Sequence, residues 1–377
     1  MNITDIAAQV ADACAELAAD TDDERSFPTD AFQHIADAGL LAAPLSEQLG
    51  GAGLNGGPAT AQNHLDVLRE LGRGNLSVGR VYEGHVNALM LVQTFGTPEH
   101  IARWAADARD RQMLFAVWNT EAGDGVRIEP LGNGRYRLAG AKTFASGAGQ
   151  VQRPIITGRL PDGGWQMCIV PMDTVSTTID ESWWQPIGMR ATASYKVDFT
   201  GIQLDASDLL GAPDDYHRQP WFGAGAIRFA AVQLGGAEAL LDAITGYLRD
   251  LDRTGDPYQR QRIGQMAIAV EGGRRWLAAA ARLDLGPDAC ACDAETTLAF
   301  ANMTRLAIED ACLRVLDLAQ RSAGARGLLR PSPIERIVRD LTFYLRQPAP
   351  DAALAAVGQA VLDSDGKASQ RWSGIGR

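Results

Sequence analysis

The chain changes texture twice, and this constrains its fold more than any single motif. Up to about residue 112 apolar residues recur at helical spacing. Pro28 opens and Gly39 closes a stretch carrying Phe32, Ile35 and Ala36, and residues 65–71 and 88–95 keep the same period. From Leu114 the period becomes two. Asn133-Gly134 lies between residues 126–131 and 136–138 as the turn of a tight hairpin, and Pro161-Asp162-Gly163-Gly164 separates residues 154–159 from 165–171 in a second. Residues 195–199 with Ile202 and Leu204 continue the alternation to about Gly211. After Pro220 helical spacing returns in stripes: Ile227, Ala231, Leu234, Leu241, Ile244 and Leu248; then Ile263, Met266, Val270 and Leu277; then residues 298–318; then Ile334, Ile337, Val338 and Leu341. This order predicts an α+β protein. Its parts are an N-terminal α-helical domain over 1–112, a central β domain over 113–212, and a C-terminal four-helix bundle over 213–377 with a mobile tail after Asp363.

A chain of 377 residues with 46% hydrophobic and 21% charged content can bury a large core divided over two or three domains. No apolar run approaches the length of a membrane span. Residues 1–30, with Asp5, Asp12, Glu16, Asp20, Asp22, Asp23 and Glu24, are too acidic for a secretory or transit peptide, so a cytoplasmic location is expected. A net charge of -11 argues against a nucleic-acid partner. The five cysteines, Cys14, Cys168, Cys290, Cys292 and Cys312, are odd in number and scattered, as suits reduced thiols. Cys290 and Cys292 form the one close pair, but zinc needs two further ligands at matching spacing, and the histidines stand apart; no metal site is expected. Gly51, Gly53 and Gly56 fit GxGxxG literally, yet they follow a helix and have no βαβ unit around them, so they read as a glycine-rich turn.

Two segments of the strand-rich middle carry chemistry: residues 117–123 (Val-Trp-Asn-Thr-Glu-Ala-Gly) and residues 141–147 (Ala-Lys-Thr-Phe-Ala-Ser-Gly). A flavin ring requires donors along its pyrimidine edge, to stabilise charge on reduction, and a flat apolar wall against its face. Thr120 and Ser146 offer hydroxyls and Phe144 offers a ring. Neighbouring strand side chains point to opposite faces, so only some of Trp118, Asn119 and Thr120 reach such a ring, and Trp118 suits the core equally well.

Five motifs in order resemble the acyl-CoA dehydrogenase family over nearly the whole chain. Phe27-Pro28 through Gly39-Leu40-Leu41, Pro44, Glu47 and Gly50-Gly51-Ala52-Gly53-Leu54 is similar to its N-terminal signature. Gly140-Ala141-Lys142 with Phe144 and Ser146, and Gly188-Met189-Arg190-Ala191-Thr192-Ala193-Ser194, look like its β-domain signatures. Gly324-Ala325-Arg326-Gly327 followed by Arg339-Asp340 resembles its C-terminal one. The resemblance implies FAD, with Thr120 at the pyrimidine edge, Phe144 on the ring, Ser146 beside it, and Trp118 and Asn119 as neighbours. It implies that Gly324, Arg326 and Gly327 approach the adenosine-diphosphate half across a subunit boundary of a homodimer or homotetramer, although a helix C-cap also explains the glycines. The family's Arg-Lys-Thr-Phe-Gly run for the partner's diphosphate is missing, and Arg253-Thr254-Gly255-Asp256 stands nearby instead.

The family's chemistry is α,β-dehydrogenation of an acyl thioester, in which a carboxylate removes the α proton. Counting from Arg339-Asp340 puts the usual Glu at about Pro348, and a second known position falls near Gly223 or Ala224; neither place has a carboxylate. Asp351 is the nearest acid, and it also reads as the N-cap of a helix over residues 352–362. Arg228 is a second candidate, either for an anionic substrate group or as a helix-surface cation; Tyr344 and Arg346 lie beside the missing base. Three functions follow: dehydrogenation of an acyl thioester with an unusual base, possible redox partner included; a flavin-dependent monooxygenase or oxidase on the same scaffold, which needs no α-proton base; and a non-catalytic interaction protein.

Overall fold

The computed structural model describes residues 2–24, 26–54, 57–283, 285, 294–372 and 375. Helices α1 (Ile3–Glu16), α2 (Ala18–Glu24), α3 (Thr29–Asp37), α4 (Pro58–Gly74), α5 (Leu76–Phe95) and α6 (Pro98–Arg109) come first. Asn75 starts α5 by accepting from the N–H groups of Ser77 and Val78 at 2.9 and 3.4 Å. The helix then runs buried on nearly every side, the pattern of a core helix rather than an amphipathic one. The glycine-rich turn follows α3 with no strand before it, and a Cβ at Gly51 would lie 2.1 Å from the Leu45 carbonyl oxygen; Gly56 lies outside the described residues.

Nine strands follow: β1 (Phe115–Trp118), β2 (Glu121–Gly132), β3 (Arg135–Ala145), β4 (Arg153–Arg159), β5 (Trp165–Ile169), β6 (Thr178–Asp180), β7 (Tyr195–Asp198), β8 (Gln203–Asp205) and β9 (Leu209–Leu210). They form one sheet in the order β6-β7-β3-β2-β4-β5-β9, with β1 parallel to β4 and β8 antiparallel to β3. Both predicted hairpins form, β2 with β3 and β4 with β5. At the first, Asn133 and Gly134 have φ of 53° and 72°, the left-handed pair that a two-residue turn requires.

The second helical region comprises α7 (Trp221–Ala224), α8 (Ala226–Asp250), α9 (Pro257–Ala280), α10 (Ala294–Gly327), α11 (Pro333–Tyr344) and α12 (Pro350–Leu362). Helix α4 packs on α8 at backbone distance, since a Cβ at Gly72 would lie 2.3 Å from the Val232 carbonyl and one at Gly235 only 2.0 Å from that of Arg69. The two helical regions therefore share one core. One expectation changes: the four-helix bundle gains α12, which packs on α10. In the tail the Trp372 ring lies 6.4 Å from that of Phe300. Among the described residues no helix is long and apolar enough to cross a membrane. Cys14, Cys168 and Cys312 are free and buried, and the Cys290 and Cys292 pair lies outside the described residues.

Lys142 is the most consequential polar group in the sheet. It is fully buried on β3, and its Nζ donates to Glu121 Oε1 at 2.7 Å, the Asn119 carbonyl at 3.0 Å and Thr157 Oγ1 at 3.1 Å. Burial lowers its pKa, against the opposing pull of Glu121. Lys142→Met keeps the length and removes all three donors. Expected is a loss of about 2–3 kcal/mol of unfolding free energy, less than a fully buried pair because Glu121 keeps solvent access; urea unfolding followed by circular dichroism measures it.

Candidate functional site

Beyond Lys142 the sheet turns into a cavity. Register between β3 and β7 shifts between Lys142 and Ala145, and Phe144 within that bulge adopts φ of 51°. The bulge throws the Phe144 ring out of the sheet, 44% exposed, where it meets the Trp183 and Trp184 rings edge-on at 4.9 and 5.8 Å. Phe343 of α11 meets the other side of Trp184 at 5.5 Å, and Trp184 Nε1 donates to the Arg190 carbonyl at 3.2 Å. The rings of Phe144, Trp184 and Phe343 wall a cavity of about 390 Å³ that also touches Arg80, Thr120, Ser146, Thr192, Ser194, Tyr344 and Pro348.

The hydroxyls form a chain. Ser194 Oγ lies 2.8 Å from Ser146 Oγ and 2.7 Å from Thr192 Oγ1, all three buried. The loops carrying them are clamped by Gly147 N–H to the Thr192 carbonyl at 2.8 Å. Across the cavity the Tyr344 hydroxyl is buried without a hydrogen-bond partner, and burial raises its pKa well above that of a free phenol. Arg80 is held by Glu83 Oε2 at 2.5 Å.

Of the residues expected at a cofactor, Thr120, Phe144 and Ser146 share this cavity. Trp118 and Asn119 do not line it. The Trp118 side chain is buried against Phe199, and its Nε1 donates to the Ser146 carbonyl at 3.0 Å, so it supports Ser146 from behind. Asn119 Oδ1 accepts from Thr157 Oγ1 of β4 at 2.5 Å. Gly324, Arg326 and Gly327 lie at the end of α10 and do not line the cavity either. Gly324 breaks the helix at φ 61°, Gly327 packs on Tyr247, and Arg326 is exposed. Arg253 pairs with Asp256 at 2.8 Å, and Asp256 caps α9.

The expected catalytic candidates move. Asp351 is exposed in the first turn of α12, not at its N-cap, which is Ala349 with no side-chain bond. Arg228 is not a surface cation, for it is only 5% exposed. Arg346 pairs with Glu309 at 3.1 Å, and Arg305 donates to the Pro348 carbonyl at 3.1 Å, so α10 pins the loop where the family's base was expected. Sequence reasoning passed over Arg80, Trp184 and Phe343. The tandem Trp183-Trp184 ahead of Gly188 was the available signal for the aromatic wall.

A cavity of this volume is of the size that holds a cofactor ring. Its aromatic walls, a line of hydroxyls along one edge and an unpartnered phenol suit a planar heteroaromatic group with acceptor atoms on its rim. The architecture and cavity together define a helix–sheet–helix cofactor scaffold. Residues 3–110 match the acyl-CoA dehydrogenase N-terminal domain and residues 227–345 the acyl-CoA dehydrogenase C-terminal domain. The chain belongs to the acyl-CoA dehydrogenase family. It is 26% identical over 345 residues to the short-chain specific acyl-CoA dehydrogenase of Bos taurus, covering 86% of this chain and 80% of that protein. It is 27% identical over 274 residues to the dibenzothiophene monooxygenase of Rhodococcus erythropolis, covering 64% of this chain and 63% of that one. The FMN-bound structure of TdsC from Paenibacillus sp. A11-2 superposes with a TM-score of 0.87 at 20% identity, over 96% of this chain and 97% of that one.

One further contact fixes the cavity floor. Asp340 of α11 accepts the Met189 N–H at 2.6 Å, and Gly188 beside it leaves no room for a side chain, since its Cβ would lie 2.2 Å from the Arg339 carbonyl. Burial pushes the Asp340 pKa up from 3.8 to about 6, against the Met189 N–H, which lowers it; Asp22 raises it further, while Arg339 and Arg336 oppose. The folded state thus binds this proton more tightly than the unfolded chain, a contribution complete below about pH 4 and lost as pH rises through 6. Asp340→Asn keeps the acceptor and cannot ionise. Between pH 4 and 7 the variant should gain on the order of 1–3 kcal/mol relative to the parent, read from paired urea titrations at each pH.

Proposed function

We propose that this chain is a flavin-dependent monooxygenase built on the acyl-CoA dehydrogenase scaffold. The observation that supports this most is the composition of the cavity wall: among the described residues lining it there is no carboxylate, and the expected base position is Pro348. The second position, at Gly223 and Ala224, offers none. α-Proton abstraction has no base in either place, whereas oxygen transfer requires none. The names of the Rhodococcus and Paenibacillus relatives agree with this reading.

A reduced flavin held by these residues would supply the two electrons needed for one atom of dioxygen to enter the substrate and the other to leave as water. The chain's own residues bind and shield. Thr120 and the linked hydroxyls of Ser146, Ser194 and Thr192 orient the ring edge, and Phe144, Trp184 and Phe343 keep water from it. Tyr344 stays protonated and holds its hydroxyl proton ready for an oxygen atom in the cavity.

FMN and FAD present the same ring to these groups. Because Arg253 is tied to Asp256 and the family's diphosphate run is missing, the adenosine half adds little to binding. Affinities for FMN and FAD should agree within about tenfold, or 1.4 kcal/mol, by flavin fluorescence quenching.

The reaction is tested with reduced FMN supplied by a flavin reductase, ¹⁸O-labelled dioxygen, and indole, methanesulfinate and aryl acids as probes. One labelled oxygen atom in a product is expected, and anaerobic mixing of the flavin-loaded protein with short- to long-chain acyl thioesters should leave the oxidised flavin absorbance unchanged. Bleaching by a thioester would identify a dehydrogenase and overturn the proposal.

A further inference from the structure

A line of polar side chains leads away from the ring cavity along α5. Arg80, Glu83, Asn87 and Met90 stand at i, i+3, i+7 and i+10, one face of the helix, over about 15 Å. Arg80 holds one carboxylate oxygen of Glu83 at 2.5 Å. Asn87 Nδ2 donates to the other, which turns its Oδ1 towards Arg228, whose Nε donates to it. Arg228 Nη1 lies 3.4 Å from Met90 Sδ.

The charges along this line do not cancel. Glu83 is its one carboxylate, and Arg80 is bound to it. Among the described residues Arg228, 5% exposed, has an amide oxygen and a thioether as its hydrogen-bond partners. Burial pulls its pKa down to about 10, with Glu83 and Tyr216 opposing, so it remains a cation at neutral pH. Buried guanidinium groups are ordinarily matched by an anion, because desolvating a charge is costly without one.

Arg228 also borders a second cavity, of about 40 Å³, with His64, Leu54, Met90, Ala224 and Ile227. His64 is 7% exposed and bonds to the Leu54 backbone, while its Nε2 has no partner among the described residues. Burial, and then the neighbouring Arg228 charge, pull its pKa down to about 3, so it adds no second charge. At about 10–15 Å³ per water the space holds roughly three waters, the size of a carboxylate or sulfinate group and too small for a nucleotide.

We propose that the Arg228–His64 cavity binds the acid group of the substrate, a carboxylate or a sulfinate, while the rest of that substrate reaches towards the ring. Arg228 supplies the counter-charge. Assigning the anion to the substrate rests on the oxygenase reading above; anion binding itself does not.

The first experiment is calorimetric titration of the full chain, flavin-free and flavin-loaded, with acetate and, as the neutral isostere, acetamide, at ionic strength matched with chloride. Saturable acetate binding is expected in both forms and none for acetamide. Arg228→Gln should weaken acetate binding at least tenfold, and Arg228→Lys should recover part of the loss. Should Arg228→Gln not fold, the wild-type comparison of acetate with acetamide and Arg228→Lys still decide. No saturable heat with acetate, or equal affinity in Arg228→Gln and wild type, would refute anion binding whatever the reaction proves to be. The second experiment compares kcat/KM for aryl acids and their methylamides under the oxygenase assay. At least a tenfold preference for acids is expected, lost in Arg228→Gln. Equal turnover of both would overturn the assignment to the substrate, and absence of turnover with acetate binding intact would count against the oxygenase reading and with it against that assignment.

Discussion

A helix buried on nearly every side has no solvent in which to keep polar groups, so every one on α5 must find a partner inside the protein. Tyr82 Oη donates to the Leu40 carbonyl at 2.8 Å. The His85 ring joins the Leu41 carbonyl at 2.8 Å to the N–H of Phe115 at 3.1 Å, which fixes Nδ1 as the acceptor and Nε2 as the donor. One turn of helix thereby ties the N-terminal loop to the first strand. The polar face already traced from Arg80 to Arg228 ties the same helix to α8 of the bundle. The positions of Arg80 at one cavity and Arg228 at another are thus consequences of a single rigid element. Neither group can be shifted without unsatisfying its neighbours.

The sheet contributes in a different way. Buried ion pairs add little net stability compared with apolar replacements, but they set geometry. Lys142 binds the carbonyl of Asn119 and the carboxylate of Glu121, the residues on either side of Thr120, so the Thr120 backbone is held from both flanks. Thr143 N–H completes this by donating to the Thr120 carbonyl at 2.9 Å. With its backbone fixed, Thr120 can present its side chain to the cavity while its neighbours turn to Lys142 and Thr157. Phe144 reaches the same cavity through a left-handed residue in a bulge, a conformation disfavoured for a bulky side chain and maintained by the surrounding β3–β7 pairing.

These devices explain which parts of the protein could be read from sequence. Helical stripes and the Asn133-Gly134 turn are local patterns, and local patterns gave the order of elements. Thr120, Phe144 and Ser146 could be grouped because they lie at neighbouring ends of two paired strands, Thr120 just before β2 and Phe144 and Ser146 at the end of β3. Separating Thr120 from Trp118 and Asn119 required the register of β1 against β4 and the reach of Lys142, neither visible in the string. Arg228 was ambiguous because helical phase tells which residues share a face, not what covers that face; here it is covered by α5. Arg80 and His64 gave no signal at all, since their significance lies in contacts between helices distant in sequence. Asp351 misled through a sound local rule, for the helix begins two residues earlier than expected, at Pro350.

Charge connects the two cavities to the choice of chemistry. A general base near an acyl α-carbon must keep a pKa high enough to take a proton. Arg80 borders the ring cavity and Arg228 the second one, with a single carboxylate between them that is already bonded to both Arg80 and Asn87. Cations at this proximity stabilise the ionised form of any neighbouring acid and depress its basicity. The absence of carboxylates at Pro348 and at Gly223–Ala224 therefore agrees with the electrostatics of the surrounding interior. Under the proposed function the missing bases and Arg228, which has no carboxylate bonded to it among the described residues, belong to one change in the site, from removing a proton to positioning a charged molecule beside the ring.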